Sequence, residues 1–401
     1  MHTPDSPYAW YRLGISLALS TISGIGLWAY VVILPTIQAE FGLDRAGASL
    51  PYTVTTIGFA FGGIVMGRLS DRFGITVPLL LAAFALGAGF FLDGLSQSFS
   101  QFVIIQGLLI GVFGSAAAFG PLIADVSQWF VKRRGVAVAI VASGNYLSGA
   151  IWPPLLQSAV ASYGWRPTYM VIGVLCVVSM VPLALLLRQR PVFSDRASPA
   201  SGRTSGLLPK LPYLYPMLII AGLSCCVAMS MPQVHIVAYC ADLGYGPARG
   251  AEMLALMLGF GVVSRVASGW MSDRIGGAGT LILGSVLQCL ALLFYIPFDG
   301  LASLYIVSAL FGLAQGGIVP SYAMIIRDHF PAREAGTRIS LVLTATVLGM
   351  ALGGWMSGYI YDLTGSYQAA FLNGIAFNLV NMAIAAWIIM GRNSPRREAT
   401  A

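Results

Sequence analysis

Charge is what this 401-residue sequence has least of: Asp, Glu, Lys and Arg make up 9% of it, against about 25% in soluble domains. That excludes a water-solvated globule. Histidine is scarce too, with three in the chain. The five cysteines (Cys176, Cys225, Cys226, Cys240 and Cys289) lack metal-ligand spacing and sit in or beside apolar runs. They read as small hydrophobes within helices. No nucleophile–base pair and no phosphate loop is visible, so an enzyme is not expected, nor a metal or cofactor. The ten-residue alternation of a membrane barrel is missing as well.

What is present is apolar length. Hydrophobic residues make up 57% of the chain, and a helix needs ~20 of them in a row to cross a bilayer. Twelve such runs are expected, at 13–36, 47–67, 75–95, 101–126, 135–160, 167–188, 212–237, 250–271, 278–298, 301–326, 338–361 and 367–391. Asp5 interrupts the N-terminus and the first run is too long for a cleavable signal, so it is expected to stay as a span. One long polar break, rich in Ser, Pro, Gly and Arg, lies near the middle. It divides the chain into a first six-helix half (1–189), a linker (190–211), a second half (212–391) and a tail (392–401).

Basic residues give the orientation. With both termini cytoplasmic, 18 of the 22 Lys and Arg fall on the inside and three (Arg45, Arg166, Arg249) outside. That asymmetry follows the positive-inside rule. The net charge of +7 therefore reflects cytoplasmic loops and anionic lipid, not nucleic acid. The remaining cation, Arg265, is the only Lys or Arg placed inside a span. Small residues recur at four-residue spacing, as in Gly63/Gly67 and Gly312/Gly316. This suits close helix packing in lipid, whether static or sliding.

Gly67-Arg-Leu-Ser-Asp71-Arg72-Phe-Gly74 nearly repeats as Gly269-Trp-Met-Ser-Asp273-Arg274-Ile-Gly276. Each copy follows the second span of its half. The motif resembles the signature loop of major facilitator transporters, although Ile75 stands where a basic residue is usual. The resemblance implies an all-α membrane fold of twelve helices in two six-helix halves, with a monomer as the default. The loop reads as a gate. Asp71 is expected to cap the next helix and Asp125 to pair with Arg72, closing the cytoplasmic side. A narrower stretch, Trp129-Phe-Val-Lys132-Arg133-Arg134 leading to Gly144, resembles the signature of monocarboxylate porters and their relatives, the oxalate:formate exchangers.

Arg265 leads the candidate site residues. A central Arg costs about +2.5 to +3.5 kcal/mol in a membrane helix, so it is expected to face a polar cavity and do work. Its fork matches a carboxylate; snorkelling to the interface is the alternative. Monocarboxylate porters carry an arginine here, four residues before a Gly, as Arg265 stands before Gly269. Animal members have an aspartate one turn earlier, where this chain has Gly261. Oxalate exchangers add a lysine in the eleventh span, which is absent between Ile339 and Tyr361. One cation suits one carboxylate. Tyr30, Phe119, Asn145 and Tyr322 are further substrate candidates, each also explicable by packing or by helix-to-helix bonds. His235 is the candidate proton carrier, with an unperturbed pKa near 6.5; Asp242 is the alternative acid.

The expectation is a secondary transporter of a small lactate-like monocarboxylate in a bacterial-type inner membrane, coupled to protons by symport. The alternatives are anion exchange, efflux of amphipathic compounds, and a membrane sensor that keeps the fold without flux.

Overall fold

The computed structural model describes residues 4–189, 211 and 213–393. The linker and tail fall almost wholly outside the described residues, with the basic residues they carry. The helices are α1 (Pro7–Ser23), α2 (Ile25–Phe41), α3 (Arg45–Phe73), α4 (Thr76–Leu95), α5 (Phe99–Ile105), α6 (Gly120–Trp129), α7 (Arg134–Ala142), α8 (Gly144–Tyr163) and α9 (Trp165–Leu186) in the first half. The second half has α10 (Leu214–Asp242), α11 (Pro247–Phe294), α12 (Leu301–Gln315), α13 (Ile318–His329), α14 (Ala332–Thr364) and α15 (Tyr367–Asn393). Wider π-type turns (Gln106–Ser115) and a 3₁₀ turn (Ala116–Ala118) join α5 to α6.

Among the described residues, eleven helical stretches are long and apolar enough to cross a membrane. The longest, α11, has 48 residues. At 1.5 Å per residue it would run about 72 Å, more than twice a ~30 Å hydrocarbon core. It turns back at Gly276, whose φ is 76° and ψ 169°. Gly74, at the same place in the first copy of the repeat, has φ 83° and ψ 165°. That region is essentially closed to residues with a Cβ, so each motif ends on glycine because the chain reverses there. Counting α11 twice gives twelve passes of a multi-pass membrane protein.

The two halves meet chiefly along α3 against α14 and α8 against α11. Closure is one-sided. At the far end, away from residues 189 and 211, a Cβ on Gly358 would come within 2.7 Å of the Arg45 carbonyl, and one on Gly354 within 3.2 Å of the Tyr52 ring. At the other end, which carries the chain termini, a Cβ on Gly67, Gly135, Gly269 or Gly336 would meet nothing within 4 Å. These glycines continue the faces that pack across the middle, since residues three, four and seven apart share a helix face. The halves are therefore together at the far end and apart at the terminal end.

Candidate functional site

Several passes are broken near mid-depth. The first breaks at Gly24, the fourth at Phe119 (φ −119°, ψ −86°), the fifth at Ser143 and the tenth at Gly316–Gly317. Small residues make these breaks close-packed. A Cβ on Gly24 would lie 2.6 Å from the Ser148 Cβ, and one on Gly144 2.6 Å from the Ser20 Cβ. A Cβ on Gly316 would lie 2.6 Å from the Arg265 amide nitrogen, so the tenth pass is seated directly on the backbone of the site arginine. Irregular backbone at membrane depth is tolerated where it is buried in protein or lines a cavity, and transporters place substrate sites there.

A cavity of about 130 Å³ lies between the halves. Trp28, Tyr52, Phe59, Phe119, Asn145 and Tyr146 line it from the first half; Met229, Gln233, Arg265 and Met350 are among those from the second. Arg265 is the only charged residue among its described lining residues. The guanidinium lies 4.4 Å over the Tyr146 ring, and one terminal nitrogen donates to the Ala142 carbonyl at 2.9 Å. Its Nε is buried without an acceptor. The fork is thus oriented by the fifth pass while one edge stays unspent. Phe119 and Asn145 also reach the cavity. The Asn145 side-chain oxygen and carbonyl accept from the Trp28 indole at 3.2 and 3.1 Å.

Three other candidates lie elsewhere. Tyr30 is buried within the first half, where its hydroxyl donates to the Ala48 carbonyl and its ring meets Phe102. The Tyr322 hydroxyl bonds the Ala221 carbonyl at 3.0 Å and Asn381 at 2.8 Å, stitching three passes of the second half. His235 is fully buried: Nε2 faces the Gly354 carbonyl at 2.8 Å, and Nδ1 the Tyr367 hydroxyl at 3.2 Å. A carbonyl only accepts, so Nε2 carries the proton and Nδ1 accepts from Tyr367.

The gate expectations need correction. Asp125 pairs with Arg12, not Arg72: two nitrogens of the Arg12 fork reach its oxygens at 2.9 Å each. The third donates to the Leu187 and Gln189 carbonyls at 3.1 Å. Arg12 is thus a second arginine within an apolar helix, 1% exposed and stacked on Trp129 at 4.7 Å. Full pairing is what lets it be buried. Asp71 does not cap α4, whose N-cap is Ile75 with no side-chain bond. Arg72 lies over Phe73, and Arg274 over Trp270. Asp273 stands with Arg274 in the second copy of the loop, and no ion pair of Asp71 or Asp273 is found among the described residues.

Two features were not read from the sequence. At the far end, Arg45 pairs with Asp242 at 2.8 Å and stacks on Tyr361, while Asp362 accepts the Arg45 and Ala46 amides at 2.8 and 2.7 Å. This network joins the second pass to the seventh and eleventh, across the halves. Acids at the far ends of those two passes were the available signal. Asp93, in the third pass, is fully buried and takes a 2.7 Å bond from Gln106.

The chain matches the family model described as Major Facilitator Superfamily over residues 17–301 and 253–401. It is 28% identical over 387 residues to monocarboxylate transporter 13 of Bos taurus, covering 95% of this chain and 89% of that one. It is 23% identical to the agnestins efflux protein AgnL12 of Paecilomyces divaricatus, covering 91% and 84%. In fold it resembles a bacterial homologue of the human lysosomal transporter Spinster, solved inward-facing and unoccupied. There the TM-score is 0.73 at 15% identity, over 96% of this chain and 97% of that one. With broken passes around a central cavity and a family match spanning nearly its whole length, this chain belongs to the Major Facilitator Superfamily, whose members are transporters and not enzymes.

Proposed function

We propose that the protein carries a small organic monocarboxylate across a bacterial-type inner membrane by alternating access, with Arg265 binding the carboxylate. The observation that carries this reading is Arg265 itself, the one charged residue among the described lining of a cavity that no carboxylate lines there, with an Nε that has no acceptor. An arginine in a low-dielectric site is stabilised by an anion, and the substrate supplies it. The similarity to monocarboxylate transporter 13 supports the same reading. Both termini are cytoplasmic and the working unit is a monomer of two halves, 1–189 and 212–391. The terminal end is then the cytoplasmic one and the described state faces inward. Gly67, Asp71, Arg72 and Gly74, with Asp273 and Arg274, are the proposed latch of the opposite state.

Coupling is to protons, with His235 as the carrier. Its ring touches Tyr367, which lies 5.7 Å from the Arg45 guanidinium. A proton on Nδ1 would act on the far-end gate through Tyr367 and the charge on Arg45, not on the substrate directly. The test is uptake of labelled L-lactate into proteoliposomes under an inward proton gradient. Uptake by the wild type that Arg265→Gln abolishes supports the site; equal accumulation by both proteins refutes it. His235→Gln should lose gradient-driven uptake and keep lactate–lactate exchange.

Anion exchange is the second reading. It is favoured by a cavity without a titratable acid or histidine among the described lining residues. Under that reading, flux would require an internal counter-anion and ignore the proton gradient.

A further inference from the structure

The cavity holds more than a carboxylate site. Arg265 belongs to the second half, whereas Trp28, Phe59 and Phe119 come from the first. Phe59 and Phe119 face each other with ring centroids 6.0 Å apart and planes at 49°. Phe119 sits at the break of the fourth pass, so the irregular backbone presents its ring there. Trp28 has committed its indole N–H to Asn145 and, 4% exposed, contributes only an apolar edge to the wall. A three-carbon hydroxy acid satisfies Arg265 and leaves this wall uncovered. Its size is also informative. About 130 Å³ is close to the roughly 150 Å³ of an engineered apolar cavity that takes benzene.

We propose that the preferred substrate is a single-ring aryl carboxylate, its carboxylate on Arg265 and its ring against Phe59, Phe119 and Trp28. Rings favour offset and edge-on contacts with other rings beyond the area they bury. A ligand held this way touches both halves, so its ring adds a bridge that lactate lacks. The inference rests on Arg265 as carboxylate anchor and deepens that reading.

The test uses two acids that differ by one phenyl group, L-lactate and L-3-phenyllactate. Binding is measured by titration calorimetry on the full-length protein in detergent, with empty micelles as the blank. Phenyllactate should bind at least tenfold tighter than lactate. Phe119→Ala should cost phenyllactate at least five times more affinity than it costs lactate, and Arg265→Gln should remove both. Phe59→Leu is the milder companion variant; monodisperse elution and an unchanged melting temperature qualify each protein. Equal affinities for the two acids, or losses from Phe119→Ala and Phe59→Leu that are the same for lactate as for phenyllactate, overturn the aryl preference and leave the monocarboxylate reading standing. Unchanged phenyllactate binding in Arg265→Gln overturns the anchor itself. So does the absence of binding of either acid up to about 10 mM, ten times the upper end of ordinary KM values.

Discussion

Arg265 shows how neighbours orient one side chain. Tyr146 lies under its guanidinium and Ala142 takes one donor, so on the proposed function the fork is oriented before a substrate arrives. Lysine keeps the charge and loses the planar fork. Charge-assisted bonds of this kind are worth about 1.5–3 kcal/mol, so Arg265→Lys should raise KM roughly tenfold to a hundredfold, read from initial rates of uptake. An unchanged KM would mean that the fork does not hold substrate. Asp5 offers a prediction outside the membrane. Its carboxylate accepts the amides of Val131, Lys132 and Arg133. Slight burial works to raise its pKa, but those bonds and the Lys132 charge outweigh it and the pKa is lowered. A lowered folded-state pKa stabilises above the unfolded value, near 3.9, and that contribution is lost as pH falls through the folded value. At neutral pH the staple is fully present. Asp5→Asn should then speed amide hydrogen exchange at residues 131–133 without moving global stability; unchanged exchange would remove Asp5 from that role. At this scale the sequence was only partly legible. Arg265 stood out because a lone cation in an apolar run is costly. Tyr30, Tyr322 and His235 did not separate from cavity residues, because in a helix that is apolar all round no periodicity tells the inward face from a buried one.

Between residue and fold, glycine decides what the passes can do. The repeated motif was legible in order and in place, and its two terminal glycines adopt nearly the same rare backbone conformation. Twelve runs were also legible, since apolar length is the strongest signal such a chain has. Breaks within the passes were not: nothing in Ala116–Phe119 or Ser143 distinguishes an irregular turn from a helix until the neighbour is known. The paired faces of α3 and α14 give a test. Gly358 is filled by its neighbours, whereas Gly67 and Gly336 have open space beside them. Gly358→Leu should force the far end apart, with an overpacking cost of about 1–3 kcal/mol. Gly67→Leu should leave stability in the described state unchanged yet obstruct closure of the terminal end, which must bring these faces together. Transport should fall at least tenfold while substrate binding persists. Spin labels at the terminal ends of α3 and α14 should report a fixed wide separation. A distance distribution that still includes a short, closed population would sink the idea that Gly67 lies on the closing face.

For the whole molecule, the proposed function turns on the balance between its two ends. The far end is held by a network that links three passes of opposite halves: the Arg45–Asp242 pair, and Asp362 on the amides of Arg45 and Ala46. Arg45 is 5% exposed and Asp242 about a third exposed (32%), so solvent screens the pair from the Asp242 side and it stands between a surface and a buried ion pair. The terminal end has no such link among the described residues. Arg12–Asp125 lies there but ties passes of one half only, and therefore moves with that half without resisting opening. This asymmetry explains why the described state is closed at the far end. Removing Asp242 should take away about 1–3 kcal/mol of that closure, which shifts the ratio of the two states by roughly fivefold to 150-fold. Asp242→Asn should therefore populate a far-end-open state, read as a longer distance between spin labels on the far ends of α3 and α10. The swapped pair, Arg45→Asp with Asp242→Arg, should restore much of the closure. The difference between the double variant and the sum of the single ones then measures the coupling. If the single variants leave the distances where they are, closure rests on the packing of Gly354 and Gly358 and on the bonds of Asp362 to the Arg45 and Ala46 amides. The ion pair is then a passenger, and protonation at His235 has no gate to act on.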